Sequence, residues 1–148
     1  MIRVEIARTH ARRRIGPSAA GKAVRMVLRG EGIRNALVTV VGVNSRQCRR
    51  LNRTFLGHDD VTDVISFPLE PAPRLEGEVY VNLDRARQQA RAYGVSSANE
   101  TLRLVVHGAL HLAGYDDSRP RAAARMLRRQ EEVVARLAGR RKKRSKGV

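Results

Sequence analysis

The stretch from Leu102 to Ala113 constrains the fold more than any other part of the chain. Leu102, Leu104, Val105, Val106, Ala109, Leu110, Leu112 and Ala113 leave a helix there almost no polar side, so it is predicted to be buried among other elements. Two histidines, His107 and His111, stand inside this apolar run. Four residues apart, they share one helical face, about one turn from each other. Gly114 suits a left-handed helix end, letting the chain turn back and bring an aspartate toward the same point. Imidazoles on a buried helix need partners for their ring nitrogens. A satisfied polar pair is one solution. The other is a cation shared by both rings and a carboxylate with water in the fourth place, the ligand set of an open, catalytic-type zinc site. Spacing alone does not order Asp116 and Asp117 as the third ligand. Nor do side-chain types fix the metal, leaving nickel, iron and manganese beside zinc. Gly108 stands where His-Glu-x-x-His peptidases carry their general-base glutamate, which disfavours a peptidase.

Charge is the second constraint. The net charge is +16, of which Arg140, Arg141, Lys142, Lys143, Arg144 and Lys146 supply six without an acidic neighbour, so a net +10 is spread over the rest of the chain. This fits a surface that binds nucleic-acid phosphates, although a GC-rich genome's preference for arginine would raise the charge as well. With 3% aromatic residues, stacking platforms for base-specific reading of single strands are scarce. No apolar run reaches eighteen residues, and Met1 to Ile6 alternate like a strand where a signal peptide needs an unbroken apolar block, so a cytoplasmic location without a membrane segment is predicted. A single cysteine, Cys48, excludes an intramolecular disulfide and a cysteine-based metal site, and is expected to be a small buried or half-buried apolar residue.

Periodicity predicts the order strand, helix, strand, helix, two strands, three helices. Residues 2 to 6 form the first strand, and Pro17 opens a helix that Gly30 and Gly32 close. Leu37 to Val43 form a buried strand. Asn44 or Ser45 caps a helix reaching Phe55, with Cys48, Leu51 and Phe55 on one face. Val64 to Phe67 form a strand ended by Pro68, a mobile loop covers Leu69 to Leu75, and Glu78 to Asn82 form the next strand. Asp84 caps a helix with Ala86, Ala90 and Tyr93 inward, and Ser97 with Glu100 makes a capping box for the histidine helix. A last amphipathic helix starts at Ser118 and Pro120 and turns Ala123, Met126, Leu127, Val133, Val134 and Leu137 to the core. The expected architecture is one α+β (mixed α/β) domain, residues 1–139, with a single small mixed β-sheet covered by helices, then a basic tail, 140–148, disordered without a partner. His58, Asp59 and Ser66 are candidates for a general base or a phosphate contact, or else hydrogen bonders of loop and strand ends. Asp63 is expected to satisfy backbone groups.

The run from His107 through Asp116, His-Gly-x-Leu-His-Leu-x-Gly-Tyr-Asp followed by a third ligand, resembles the signature of the YbeY family of bacterial rRNA maturation endoribonucleases. Upstream, Leu51-Asn52, Gly57, Asp59 and Thr62 to Pro68 are similar to a second block, and Gly77 to Val81 to a third; together they span about residues 44 to 132. The resemblance implies a zinc-dependent, single-strand-specific endoribonuclease acting in 16S 3′ end processing and ribosome quality control. Its partners would be an rRNA precursor and the ribosome or ribosomal proteins, without DNA or membrane. It places the third ligand at Asp117, with His107 and His111, and the histidine helix beneath the sheet. The cleft would open between the edge strand near Glu78–Asn82 and the loop after Gly114. Two positions depart from the family pattern: Asp117 stands where histidine is usual, and Leu56 where an arginine is usual. Leucine neither donates hydrogen bonds nor neutralises phosphate, so a metal-stabilised RNA-binding assembly factor with weak or no nuclease activity is the alternative. A hydrolase of small substrates fits the distributed positive charge poorly.

Overall fold

The alternating Ile2, Val4 and Ile6 belong to β1 (Ile2–Arg8), which runs parallel to β2 (Asn35–Val43). Parallel neighbours need a crossover, supplied here by α1 (Pro17–Gly30). Next come α2 (Ser45–Leu51), one π-helical turn (Asn52–Leu56), and a hairpin of β3 (Val64–Glu70) and β4 (Arg74–Asn82). The chain ends in α3 (Leu83–Tyr93), α4 (Ser97–Leu112) and α5 (Pro120–Lys146). This computed structural model describes the backbone of residues 1–146 and the side chains of residues 1–139. β4 pairs parallel with β2 and antiparallel with β3, giving one mixed sheet in the order β1-β2-β4-β3. The α+β class and the element order are as the periodicity predicts. Among the described residues no helix is long and apolar enough to cross a membrane.

Side-chain alternation splits β2 and β4 between two cores. Val38, Val40, Val79 and Val81 join α1, α3, α4 and α5 in the main core, while Val41, Val43 and Ile65 meet Cys48 of α2 in a smaller one. α4 is buried as its composition requires, with Val105, Val106, Ala109 and Leu110 fully enclosed. Two glycines set how close it comes to the sheet. A Cβ on Gly108 would overlap Val79, and one on Gly77 would stand 2.6 Å from Leu112 Cδ2. At this close approach Ser66 Oγ donates to the Gly108 carbonyl at 2.9 Å, tying α4 to β3.

Several local expectations are corrected. β3 continues through Pro68, which an edge strand tolerates because its outer side has no ladder to break, and the hairpin loop shrinks to residues 71–73. Phe55 is 66% exposed, because the π-helical turn rotates it off the Cys48 face; Tyr93 and Leu127 also point outward. Asn82, not Asp84, caps α3, which frees the Asp84 carboxylate for His10, Arg13 and the Ser45 amide. Ser96, not Ser97, caps α4, so Glu100 falls outside the capping-box position and is buried against Arg103. α5 spans Pro120–Lys146, and arginine and lysine are good helix formers that suit a helix C-terminus. The tail side chains, and residues 147–148 altogether, lie outside the described residues.

Candidate metal centre

The last two turns of α4 present His107 and His111 from one face, ring centroids 4.8 Å apart. After Leu112 the chain reverses through Gly114 at φ 107°, and the Tyr115 amide returns to the Leu110 carbonyl. The reversal carries Asp117 back over the histidines, its Oδ2 3.3 Å from His111 Nε2 and 3.6 Å from His107 Nε2. The neighbouring aspartate is otherwise engaged: Asp116 accepts from the Ser118 amide at 2.9 Å and its hydroxyl at 2.7 Å. Among the described residues, His107, His111 and Asp117 are the only three His, Cys, Asp or Glu groups that converge closely enough to hold an ion.

Hydrogen bonds behind the rings decide what the converging atoms are. His111 Nδ1 lies 3.2 Å from the Tyr115 carbonyl, which can only accept, so Nδ1 carries the proton. His107 Nδ1 lies 2.7 Å from Gln130 Oε1. The Gln130 amide is oriented from its other end, where Nε2 donates to Glu131 at 3.1 Å, and a carboxylate accepts only. Arg103 in turn grips Glu131 at 2.9 and 3.0 Å, and this hydrogen-bonded pairing holds the Glu131 carboxyl below its ordinary range. With both Nδ1 atoms donating, it is the two Nε2 atoms that face the carboxylate, and in the neutral imidazoles each of these carries the lone pair. Three electron-rich atoms aimed at one point call for a cation between them. Ligand atoms around four-coordinate zinc, with bonds of about 2.0–2.1 Å, stand about 3.3 Å apart, close to the two distances from Asp117. The donor set fits a divalent metal.

Beside His111 opens a cleft of about 500 Å³, walled by Asn52, Leu56 and His58 on one side and Ile65, Ser66 and Pro68 on the other. The expected wall near Glu78–Asn82 is corrected: β4 is interior, and β3 is the edge strand beside the site. His58 reaches the cleft as an exposed side chain, and Ser66 lines it with its hydroxyl committed to Gly108. Asp59 does not line it. Arg49 holds that carboxylate at 3.0 and 3.3 Å, keeping it below the ordinary range. Asp63 accepts from Gln89, and buried Asn52 pins the loop by donating to the carbonyl and carboxylate of Asp60. Sequence reasoning missed Gln130, and placed Asn52 only within a resembling block without a role. The signal for Gln130 was a polar residue four after Met126 on the buried stripe of α5.

The family model described as "Endoribonuclease YbeY" matches residues 7–138, the converging triad and the cleft walls included. The chain belongs to the YbeY family. Relatives named Endoribonuclease YbeY include one from Chlorobaculum parvum, 36% identical over 128 residues that cover 86% of this chain and 91% of the relative. Another, from Chlorobium luteolum, is 38% identical over 126 residues, 85% and 92% of the two chains. A Thermotoga maritima protein solved in solution shares the fold with a TM-score of 0.66 and 29% identity, covering 97% of this chain and 93% of its own. Of the two side chains that depart from the YbeY signature, Leu56 lies on the cleft wall, 47% exposed, and Asp117 lies beside His111, which lines the same cleft.

Proposed function

We propose that this YbeY-family chain is a metal-dependent endoribonuclease, with zinc as its cofactor, that cuts single-stranded rRNA. Its setting would be 16S 3′ end maturation and ribosome quality control in the cytoplasm, with an rRNA precursor and the ribosome or ribosomal proteins as partners. The single observation that carries the reading is the convergence of two histidine Nε2 atoms and Asp117 Oδ2 beside an open cleft, in a chain whose relatives are named endoribonucleases. A divalent cation at this point would supply an acidified water and positive charge for a phosphodiester. His107 and His111 hold their rings by donating from Nδ1, and Asp117 closes the set from the returning chain. His58, exposed on the cleft wall, offers an imidazole for a proton or a phosphate oxygen. Ser66 serves chiefly to seat Gly108 and so the histidine helix. The basic residues Arg140, Arg141, Lys142, Lys143, Arg144 and Lys146, following the domain of residues 1–139, would add phosphate contacts.

A specific observation favours the assembly-factor reading: neither arginine nor lysine lines the cleft among the described residues, and Leu56 occupies the usual arginine position. The test is metal analysis of purified wild type, Asp117→Ala and Leu56→Arg, each assayed on a single-stranded rRNA precursor. The nuclease reading expects one metal per wild-type chain, loss of metal and cleavage in Asp117→Ala, and faster cleavage by Leu56→Arg. A metal-loaded protein that leaves RNA intact both as wild type and as Leu56→Arg would establish the assembly factor instead.

A further inference from the structure

At the other end of α4 lies a second concavity, a groove of about 740 Å³ between α1, α4 and α5. Along one wall α1 presents Lys22, Arg25 and Arg29, which at spacings of three and four residues share a face, and Arg136 of α5 stands across from them. Half-buried Met26, Leu102 and Leu137 form the floor. No acidic residue lines the groove, and among the described residues none of its four cations has a carboxylate partner. Arg13, Arg49, Arg103 and Arg129, by contrast, are ion-paired, and what sets the groove apart is that four unpaired cations share one concavity. Arg25 is also held in place, donating from Nε to the Ile2 carbonyl at 3.3 Å. Folding has thus gathered like charges without neutralising them, and a ligand that brings its own negative charge removes their repulsion.

We infer that this groove is a second RNA surface, taking backbone phosphates of the strand that runs on from the cleavage cleft. The inference rests on RNA being the substrate of the metal site. RNA is favoured over an acidic protein segment because the relatives of this chain are named endoribonucleases. The cations are spread along about 10 Å of α1, seven residues of helix, which suits a polymer with regularly spaced charge. In the sequence, Arg136 is followed four residues on by the basic run Arg140 to Lys146. Leu102 and His111 are nine residues apart on α4, about 14 Å along its axis. A strand filling both sites therefore extends several nucleotides beyond the scissile bond, and a short oligonucleotide occupies the cleft alone.

The test uses the full chain with Lys22, Arg29 and Arg136 all changed to Glu, and a second variant with the same three changed to Gln; Arg25 stays because it anchors Ile2. Binding of a long single-stranded RNA and of a very short one is measured by fluorescence anisotropy across a salt series, with metal removed so that cleavage plays no part. Long-RNA affinity is expected to fall at least tenfold in the Glu variant and less in the Gln variant. The log–log salt slope should drop by about 2, since three lost phosphate contacts each contribute about 0.7. Short-RNA binding should not change, nor, with metal restored, should short-RNA cleavage. An unchanged long-RNA affinity and slope in both well-folded variants would overturn the inference. So would tighter wild-type binding of a poly-glutamate peptide than of RNA of equal charge. Loss of cleavage on every RNA by the wild type would remove the nuclease reading while leaving the binding result standing.

Discussion

Replacing Gln130 with leucine tests whether the ring behind the metal centre is oriented by a hydrogen bond or by packing. Gln130 is 7% exposed, and its Oε1 lies 2.7 Å from His107 Nδ1, a short contact that fixes both the tautomer and the plane of that imidazole. Removing such a partner typically costs 10- to 100-fold in metal affinity. Here the His107 side chain is 27% exposed, so water can reach the freed Nδ1–H and replace part of the lost bond. The expected rise in the zinc Kd is therefore at the lower end, about tenfold or ~1.4 kcal/mol. Competition against a chromophoric chelator measures it, and urea unfolding of the metal-free protein separates affinity from stability. Gln130→Glu should retain affinity, because a carboxylate accepts from Nδ1 at least as well, but should destabilise the metal-free protein by facing Glu131. If Gln130→Leu binds zinc as the wild type does while Asp117→Ala does not, packing alone holds His107 and the hydrogen-bond argument fails.

Other outcomes follow from contacts away from the ligands. Gly108→Ala gains about 1 kcal/mol of helix propensity but overpacks against Val79, a cost of up to about 3 kcal/mol; a net loss near 1–2 kcal/mol should show in the urea midpoint, and no loss would refute the close approach. For Asp84, burial pushes the carboxyl up, but hydrogen bonds from His10, the Ser45 amide and Arg13 outweigh it and leave the pKa below its ordinary 3.8. A depressed folded value means stability present above that pH and lost as pH falls through the folded pKa, so Asp84→Asn should flatten the acid limb of the stability curve. Burial pushes the Cys48 thiol from 9.0 up to about 11. Unfolded thiol ionises first, so stability should fall between those pH values, a limb that Cys48→Ala removes; rapid alkylation of the native protein at neutral pH would contradict the burial.

What the sequence disclosed and what it withheld divide along physical lines. The histidine helix was legible because its apolar residues run almost all round it, and the return of an aspartate because four-residue spacing and a glycine reversal are local geometry, although only the family resemblance chose Asp117 over Asp116. The identity of the edge strand was not, since β3 and β4 read alike as short strands and their order depends on where β2 finds its parallel partner. Phe55 and Leu127 fit a helical stripe on paper. A π-helical turn displaces the first, and the stripe of α5 buries Met126 in preference to the second. Helix caps moved by one or two residues because Asn82 and Ser96 compete with equally suitable neighbours. Gln130 was hidden because its partner lies 23 residues away, a distance no periodicity spans.

The two departures from the YbeY pattern belong to one electrostatic argument. An aspartate in place of the usual histidine adds a negative charge at the ligand set, and Leu56 in place of the usual arginine removes a positive one. The cleft is thus two charges less attractive to a phosphodiester than the family pattern implies. Arg49 does not offset this, being committed to Asp59. The proposed attraction for RNA comes from outside the cleft, where among the described residues the groove cations of α1 and α5 have no carboxylate partner. On this account, binding and cleavage are carried by separate surfaces. Leu56→Arg should speed cleavage of short RNA most, because long RNA is already held by the groove, and an equal gain on both would argue that the cleft alone governs binding.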